Sequence, residues 1–470
     1  MKGITFFLLL VTFSALHSQS VTLRDTTNQY DYIIITVPEF VNACEPFRQH
    51  KETVRDFRTL VVDTTQIFAE FDSSATSQDN IRDFISYAGT FWKETRPKFF
   101  LIAGSVKFIP NYNMSDPVWS SPYFQSDFYY SLNIYEGDST TTDFYVGRIP
   151  ANNTTELENY FSKVINYEND NTLYDWMNNN LFICEDNIQY GFLDAALYLA
   201  SEFPAFMRSY FISENDTSQY YGNVDSIYNA INNRGSAAVW FIGHANDSVF
   251  AYSHMFDFED LIGLSNYQKY FLSIFAGHQS SIIDSNSNLT KEMMMMENSG
   301  SIGGPVFVGL VYWGVGSAIL REWAQRIFDP TIQSLGEALI TDSLPSGGVY
   351  WYMKITVNLW ADPSLKLKYD TTVGVEKVEY EAPQSFTLYQ NYPNPFNPTT
   401  TIKFALPVDS RVKINVYNSL GQLVETLVDR EMESGYHEVN FDASRLASGV
   451  YLYQLRSQDF VSVKKMLLLK

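Results

Sequence analysis

Few residues in this chain could do covalent or proton-transfer chemistry. Its 470 residues include two cysteines, Cys44 and Cys184, and six histidines, His17, His50, His244, His254, His278 and His437. His244 follows the apolar run Val239-Trp240-Phe241-Ile242 in a Gly243-His244 turn, and Cys184 ends the run Leu181-Phe182-Ile183-Cys184. As strands of one parallel sheet, the two runs would bring thiol and imidazole to the crevice where open α/β sheets bind ligands. A thiolate that attacks a carbonyl, beside a histidine that takes and returns the proton, would perform acyl transfer. Glu185 and Asp186 follow Cys184 directly, and negative charge there discourages ionisation of the thiol. An inert core cysteine is therefore the plainer reading of Cys184. Cys44 lies on a helical stretch after the first apolar run and reads as packing. Ser280 and Ser281 are hydroxyl alternatives, with His244 or His278 as base, but a serine needs close placement against a strong base.

Metal and phosphate chemistry find less support. No two histidines have the i, i+4 spacing with a glutamate base that marks a helical zinc site. Zinc could be held only by convergence of His244, His254 and His278 with Asp247 or Asp257. No cofactor is implied. Calcium, if bound, would be structural, on acidic loops such as 138–143, a spacing that ordinary solvated loops share. Gly303-Gly304 and the glycines at 314 and 316 lack the lysine of a phosphate-binding loop.

The elements that must carry these residues alternate between two kinds. Tyr32-Ile33-Ile34-Ile35-Thr36-Val37, Phe99-Phe100-Leu101-Ile102-Ala103, Ala237 through Ile242, Tyr270 through Phe275 and Pro305-Val306-Phe307-Val308 are continuous apolar runs, as in parallel strands buried on both faces. Helical patterns over 79–91, 156–167 and 193–203 separate them. Strand–helix–strand repetition predicts an α/β domain with helices on both faces of a mostly parallel sheet. The Asn- and Asp-rich stretch 169–180 divides it into two subdomains, 30–168 and 175–369. Residues 370–384 read as a linker. Beyond it, 401–406, 411–417, 436–441 and 450–455 alternate apolar with polar residues, and Gly421, Gly435 and Gly449 punctuate them. That spacing predicts an immunoglobulin-like β-sandwich over 385–470. Met293 to Met296 read as a helix side packed into the core.

The compartment follows from the first residues. Lys2, the apolar run from Ile4 to Phe13 and the small-residue end at Ser18 predict a signal peptide over 1–18. No later stretch has the length of a membrane-spanning segment, so no integral membrane segment is expected. The formal net charge of -21 repels nucleic acid and anionic membrane surfaces, which excludes both as partners. Two cysteines do not make a disulfide framework.

The tail carries the most specific signal. Asn391-Tyr392-Pro393-Asn394-Pro395-Phe396-Asn397-Pro398-Thr399-Thr400, then Val416-Tyr417-Asn418, Gly421-Gln422, Gly435, Gly449-Val450-Tyr451 and Lys464-Lys465-Met466, resemble the sorting domain of type IX secretion. The resemblance covers 385–470. It implies engagement of the type IX secretion machinery and a secreted or outer-surface protein exported through the periplasm. An adhesive module is the alternative.

The α/β region resembles the gingipain-like cysteine peptidases, whose fold is caspase-like. Its landmarks are Tyr32 to Thr36, Ser126-Asp127-Phe128-Tyr129-Tyr130, Val146-Gly147-Arg148-Ile149-Pro150-Ala151, Gly243-His244, Leu335-Gly336-Glu337-Ala338 and Asp362-Pro363-Ser364-Leu365. The resemblance places the general base at His244 and the nucleophilic cysteine at the end of the next parallel strand. There the sequence reads Phe275-Ala276-Gly277, and glycine has no side chain with which to attack. Ala245 stands where the family usually has a second glycine, and Gly104-Ser105 where it tends to have Gly-Asp. The expectation is an exported, catalytically degenerate member that binds a peptide or protein ligand. Two alternatives stay open: a cysteine endopeptidase with Cys184 as relocated nucleophile beside His244, and a surface-displayed structural protein.

Overall fold

The computed structural model describes residues 21–72, 76–114, 124–135, 142–185, 191–214, 218, 220–251, 253–277, 288–309, 311, 313–340, 348–373, 386–391 and 394–469. The expected signal peptide and most of the expected linker lie outside them.

Strands β1 (Tyr32–Thr36), β2 (Thr59–Asp63), β3 (Phe99–Ala103) and β4 (Tyr145–Ile149) form a parallel sheet in the order β2-β1-β3-β4. Helices α1 (Val41–Val54), α2 (Ser77–Phe91) and α3 (Thr154–Asn169) accompany it. Thr76 caps α2 by accepting from the Asp79 N–H, and Asn153 caps α3 through the Glu156 N–H, each satisfying an otherwise orphaned donor.

A second sheet contains β5 (Asn179–Cys184), β6 (Arg208–Ser213), β7 (Ala238–Ile242), β8 (Leu272–Ala276), β9 (Gly304–Phe307) and β10 (Val357–Trp360), in the order β10-β9-β8-β7-β5-β6. Only β10 runs antiparallel to its neighbour. The continuous apolar runs follow from burial on both faces. Leu181, Ile183, Val239, Phe241 and Phe275 join one hydrophobic cluster, while Phe182, Cys184, Trp240, Ile242, Ile274 and Ala276 join another. That second cluster also includes Ile33, Ile35 and Phe100 of the first sheet, so the two α/β parts share one core. Met293, Met294 and Met295, on a short helix spanning Leu289–Met295, are buried as expected.

Two family landmarks lock the seam between the sheets. An ideal Cβ at Gly147 would lie 2.1 Å from the Ala361 carbonyl oxygen and 2.8 Å from Pro363 Cδ, so only glycine lets β4 approach the segment after β10. Neighbouring Arg148 is fully buried and bidentate to Asp127, at 2.7 and 2.6 Å, and it also donates to the carbonyls of Gly104 and Ile109. Asp362 accepts from Tyr32 Oη at 2.8 Å and lies 2.6 Å from Lys51 Nζ. Lys51, wholly enclosed, also reaches both oxygens of Glu168 at 2.9 and 2.7 Å.

The chain ends in two antiparallel sheets around a separate core. β11 (Thr387–Leu388), β12 (Thr399–Leu406) and β15 (Gly435–Asp442) form one, in the order β11-β12-β15. β14 (Leu423–Met432), β13 (Ser410–Asn418), β16 (Gly449–Ser457) and β17 (Phe460–Leu468) form the other in that order. Val412, Ile414, Val416, Tyr453 and Leu455 point inward, and Arg411 and Lys413 outward, as the alternation requires. Asn391 is buried, donating its N–H to Tyr453 Oη and its amide to Thr400 Oγ1. Phe396 exchanges main-chain hydrogen bonds with Leu467 and Leu469, which fastens the signature segment to the last strand.

Lys51→Met should cost about 3–5 kcal/mol in urea denaturation, because two buried carboxylates lose their common counter-ion. Burial opposes the charge of Glu168, but Lys51, His50 and Arg55 outweigh it and lower its pKa to about 2. A folded-state pKa below the unfolded value of about 4.3 stabilises the fold at higher pH, and this is lost on acidification. Stability should therefore fall as pH drops from about 4.5 towards 2, and Glu168→Gln should flatten that part of the profile.

Candidate functional site

The strand order decides which residues meet. β5, β7 and β8 are consecutive and parallel, with Cys184 paired to Ile242 and Ile242 to Ala276. The residues that follow them, Glu185, Gly243-His244 and Gly277, therefore emerge side by side at the carboxyl edge. The Gly243 N–H bonds back to the Ala276 carbonyl at 3.4 Å, and the Glu185 N–H to the Ile242 carbonyl at 3.1 Å.

Glu185 and His244 form the polar centre of this edge. One oxygen, Oε2 of Glu185, accepts the main-chain N–H of His244 at 2.5 Å and lies 2.7 Å from its Nδ1. A carboxylate can only accept, so Nδ1 carries a proton, and Nε2 is the nitrogen that can act as base when the ring is neutral. Glu185 is 4% exposed, which keeps the contact from being diluted by solvent. The close approach depends on Gly243: an ideal Cβ there would lie 2.6 Å from Glu185 Cβ and 3.0 Å from Oε2. Phe192, at the start of α4 (Phe192–Ser201), meets the imidazole edge to face at 5.5 Å.

The turn beyond His244 is pinned from the far side. The Ala251 N–H bonds to the His244 carbonyl at 2.8 Å, and Asn246 Oδ1 accepts from the N–H groups of Ser248 and Val249. Phe250 stacks on Phe241 at 4.4 Å and abuts Phe275 at 4.6 Å, so the loop is held by the same strands that present the site.

Gly277, just after β8, packs against Ala245. An ideal Cβ at this position would lie 2.5 Å from the Ala245 Cβ and 3.2 Å from the Ala245 nitrogen. Real methyl groups do not approach so closely, and Ala245 has no flexible end to move aside. The two departures that the resemblance implied therefore meet in one contact: with alanine at 245, the position at 277 has no room for a side chain.

Cys184 is brought to the same strand edge but turned into the core. It is fully enclosed, and burial, with the nearby Asp194 carboxyl, pushes its thiol far above the ordinary cysteine range. Cys44 is likewise buried, with its thiol raised to about 12 by burial, and both cysteines are free thiols. His278, Ser280 and Ser281 lie outside the described residues. His254 is exposed, 3.8 Å from Asp257, and no group of three or more metal-ligating side chains occurs among the described residues. Of the loop considered for calcium, Asp143 uses Oδ2 to accept the Asn133 N–H, and 138–141 lie outside the described residues. Ser105 lies two residues beyond the end of β3 in the first sheet, its N–H bonded to the Ala151 carbonyl. Sequence reasoning missed Glu185 as a partner of His244, treating it only as a charge beside Cys184. Its position immediately after a parallel strand was the available signal.

Residues 25–368 match the model of peptidase family C25, and residues 390–469 match the secretion system C-terminal sorting domain. A search of curated proteins found no match. Among solved structures, the complex of the Porphyromonas gingivalis RgpB pro- and mature domains aligns with a TM-score of 0.60 at 14% identity, over 93% of this chain and 100% of that one. The Arg-specific cysteine proteinase gingipain R (RgpB) gives 0.60 at 14% identity, over 93% and 98%. A structure described as a protease gives 0.57 at 15%, over 93% and 97%. At such identities the likeness speaks for the fold alone. The sorting domain implies engagement of a secretion system and export to the cell surface or the medium, and no helix among the described residues is long and apolar enough to cross a membrane. With nearly three-quarters of its length matched by one family model, the chain belongs to peptidase family C25, the gingipain family, and ends in a type IX sorting domain.

Proposed function

We propose that this protein is an exported, catalytically degenerate member of its family that binds peptides or proteins in the former substrate crevice. One observation carries the reading: Gly277 stands at the strand end beside the Glu185–His244 pair, and the Ala245 methyl occupies the space that a side chain at 277 would need. Without a nucleophile, a base at His244 has no proton to take in an acyl transfer of this kind. The pair still offers an oriented imidazole beside a buried carboxylate, which suits recognition of a peptide's polar groups. Cys184 is a poor substitute, since its enclosed thiol resists ionisation and a thiol must ionise to attack. A signal peptide over 1–18 would deliver the chain to the periplasm before the tail engages the type IX machinery.

The direct test is incubation of the mature full-length protein with a diverse peptide library, read by mass spectrometry beside His244→Ala and Cys184→Ala. The expected outcome is no cleavage by any of the three, with a subset of peptides retained by wild type. Cleavage that disappears in either variant would refute the proposal. Intact peptides with none retained would favour the structural reading.

The steric relation makes a second prediction. Gly277→Cys alone should destabilise the protein by about 1–3 kcal/mol through overpacking against Ala245. Ala245→Gly with Gly277→Cys should recover most of that loss in denaturant titrations. The double variant, not the single, should then gain measurable hydrolysis of the retained peptides.

A further inference from the structure

The carboxyl edge is not the only place where polar groups face a cavity. A cleft of about 80 Å³ lies at the seam of the two sheets, between Val146 of β4 and Asn358 of β10. Lys354, near the end of the helix Gly348–Ile355, lines it and is 3% exposed. Among the described residues no ion pair is formed by this ammonium. Asp127, also on the cleft wall, is already spent on the bidentate contact with Arg148.

A second donor points to the same kind of occupant. Asn358 is 2% exposed, and its Oδ1 accepts the Asp127 N–H at 2.9 Å and the Ser126 hydroxyl at 3.2 Å. The backbone donor fixes which end of the amide is oxygen, so Nδ2 is the remaining group, and it is buried without a partner. An unpaired buried donor costs about 1–3 kcal/mol. The volume suits a few water-sized groups, given about 30 Å³ for each water. A planar group with two acceptor oxygens and one negative charge would suit the amide donor and the lysine together.

We propose that this cleft is a binding site for a small carboxylate, held by Lys354 Nζ and Asn358 Nδ2. The carboxylate is either a free small acid or the terminus of a peptide chain. The site is separate from the Glu185–His244 edge and does not depend on the function proposed for it.

The test is thermal melting of the mature full-length protein in sodium acetate or acetyl-glycine, with ionic strength held constant by sodium chloride. Because a ligand that binds only the folded state raises its melting temperature, 100 mM acetate should raise that of wild type by several degrees above the chloride control. A stronger response to acetyl-glycine than to acetate identifies a chain terminus; the reverse identifies a free acid. Lys354→Met should abolish the response. Asn358→Asp keeps both accepted hydrogen bonds and supplies a carboxylate in the cleft that Lys354 lines. It should melt no lower than wild type in chloride and should not respond to acetate, which keeps the test decisive if Lys354→Met does not fold. Wild type responding no more than in chloride, or Asn358→Asp responding as wild type does, would overturn the proposal, as would stabilisation by phosphate alone.

Discussion

The ammonium of Lys51 is the contact on which the arrangement of the body turns. It sits between Glu168 at the end of α3 and Asp362 just after β10, with no exposure to solvent. Asp362 is also held by Tyr32 of β1, and its N–H is taken by Tyr160 of α3. The first strand, two helices and the closing segment are thereby tied at one charged point. Burying such charges costs several kcal/mol, and the return depends on every partner being in place. This makes the network a poor source of stability and a strict judge of geometry, which is useful where two sheets must meet edge to edge. Gly147 admits the same closing segment by omitting a side chain, so attraction at Asp362 and clearance at Gly147 act on neighbouring residues.

That geometry also explains why so much of the fold was legible. Runs such as Tyr32 to Thr36 and Ala237 to Ile242 are apolar throughout because helices cover both faces, and a run with no polar side has few other destinations. The tail was legible for the opposite reason: Arg411 and Lys413 alternate with Val412 and Ile414, which declares one wet face and one dry one. The landmarks Arg148 and Asp362 read as family signals, and the structure gives them physical content as buried ions that hold the seam.

Strand order was not legible, and the candidate site depends on it. Glu185 and His244 are far apart in sequence, and nothing in either run says that β5 lies beside β7. Once those strands are neighbours, the residues that follow each of them meet. The same adjacency converts Ala245 and Gly277 from two separate departures into one. Their relation is steric, at a distance of 2.5 Å between an existing methyl and an absent one, and composition or periodicity cannot express that.

The order in which the two positions could change follows from this contact. A side chain at 277 would meet the Ala245 methyl, so alanine at 245 is tolerable only where 277 is glycine. Glycine at 245 is compatible with either state of 277. On the reading proposed above, loss of a side chain at 277 has to come before or together with the gain at 245, and the alanine would then act as a ratchet against return. Gly243 is under no such release. Its missing side chain gives Glu185 access to His244, and a methyl there would break the contact whether or not a nucleophile stood nearby. A fold that needed only to be stable could satisfy a buried glutamate more simply than by aiming it at an imidazole beneath a glycine turn. The pair thus fits the proposed binding role, in which the crevice presents a polar surface.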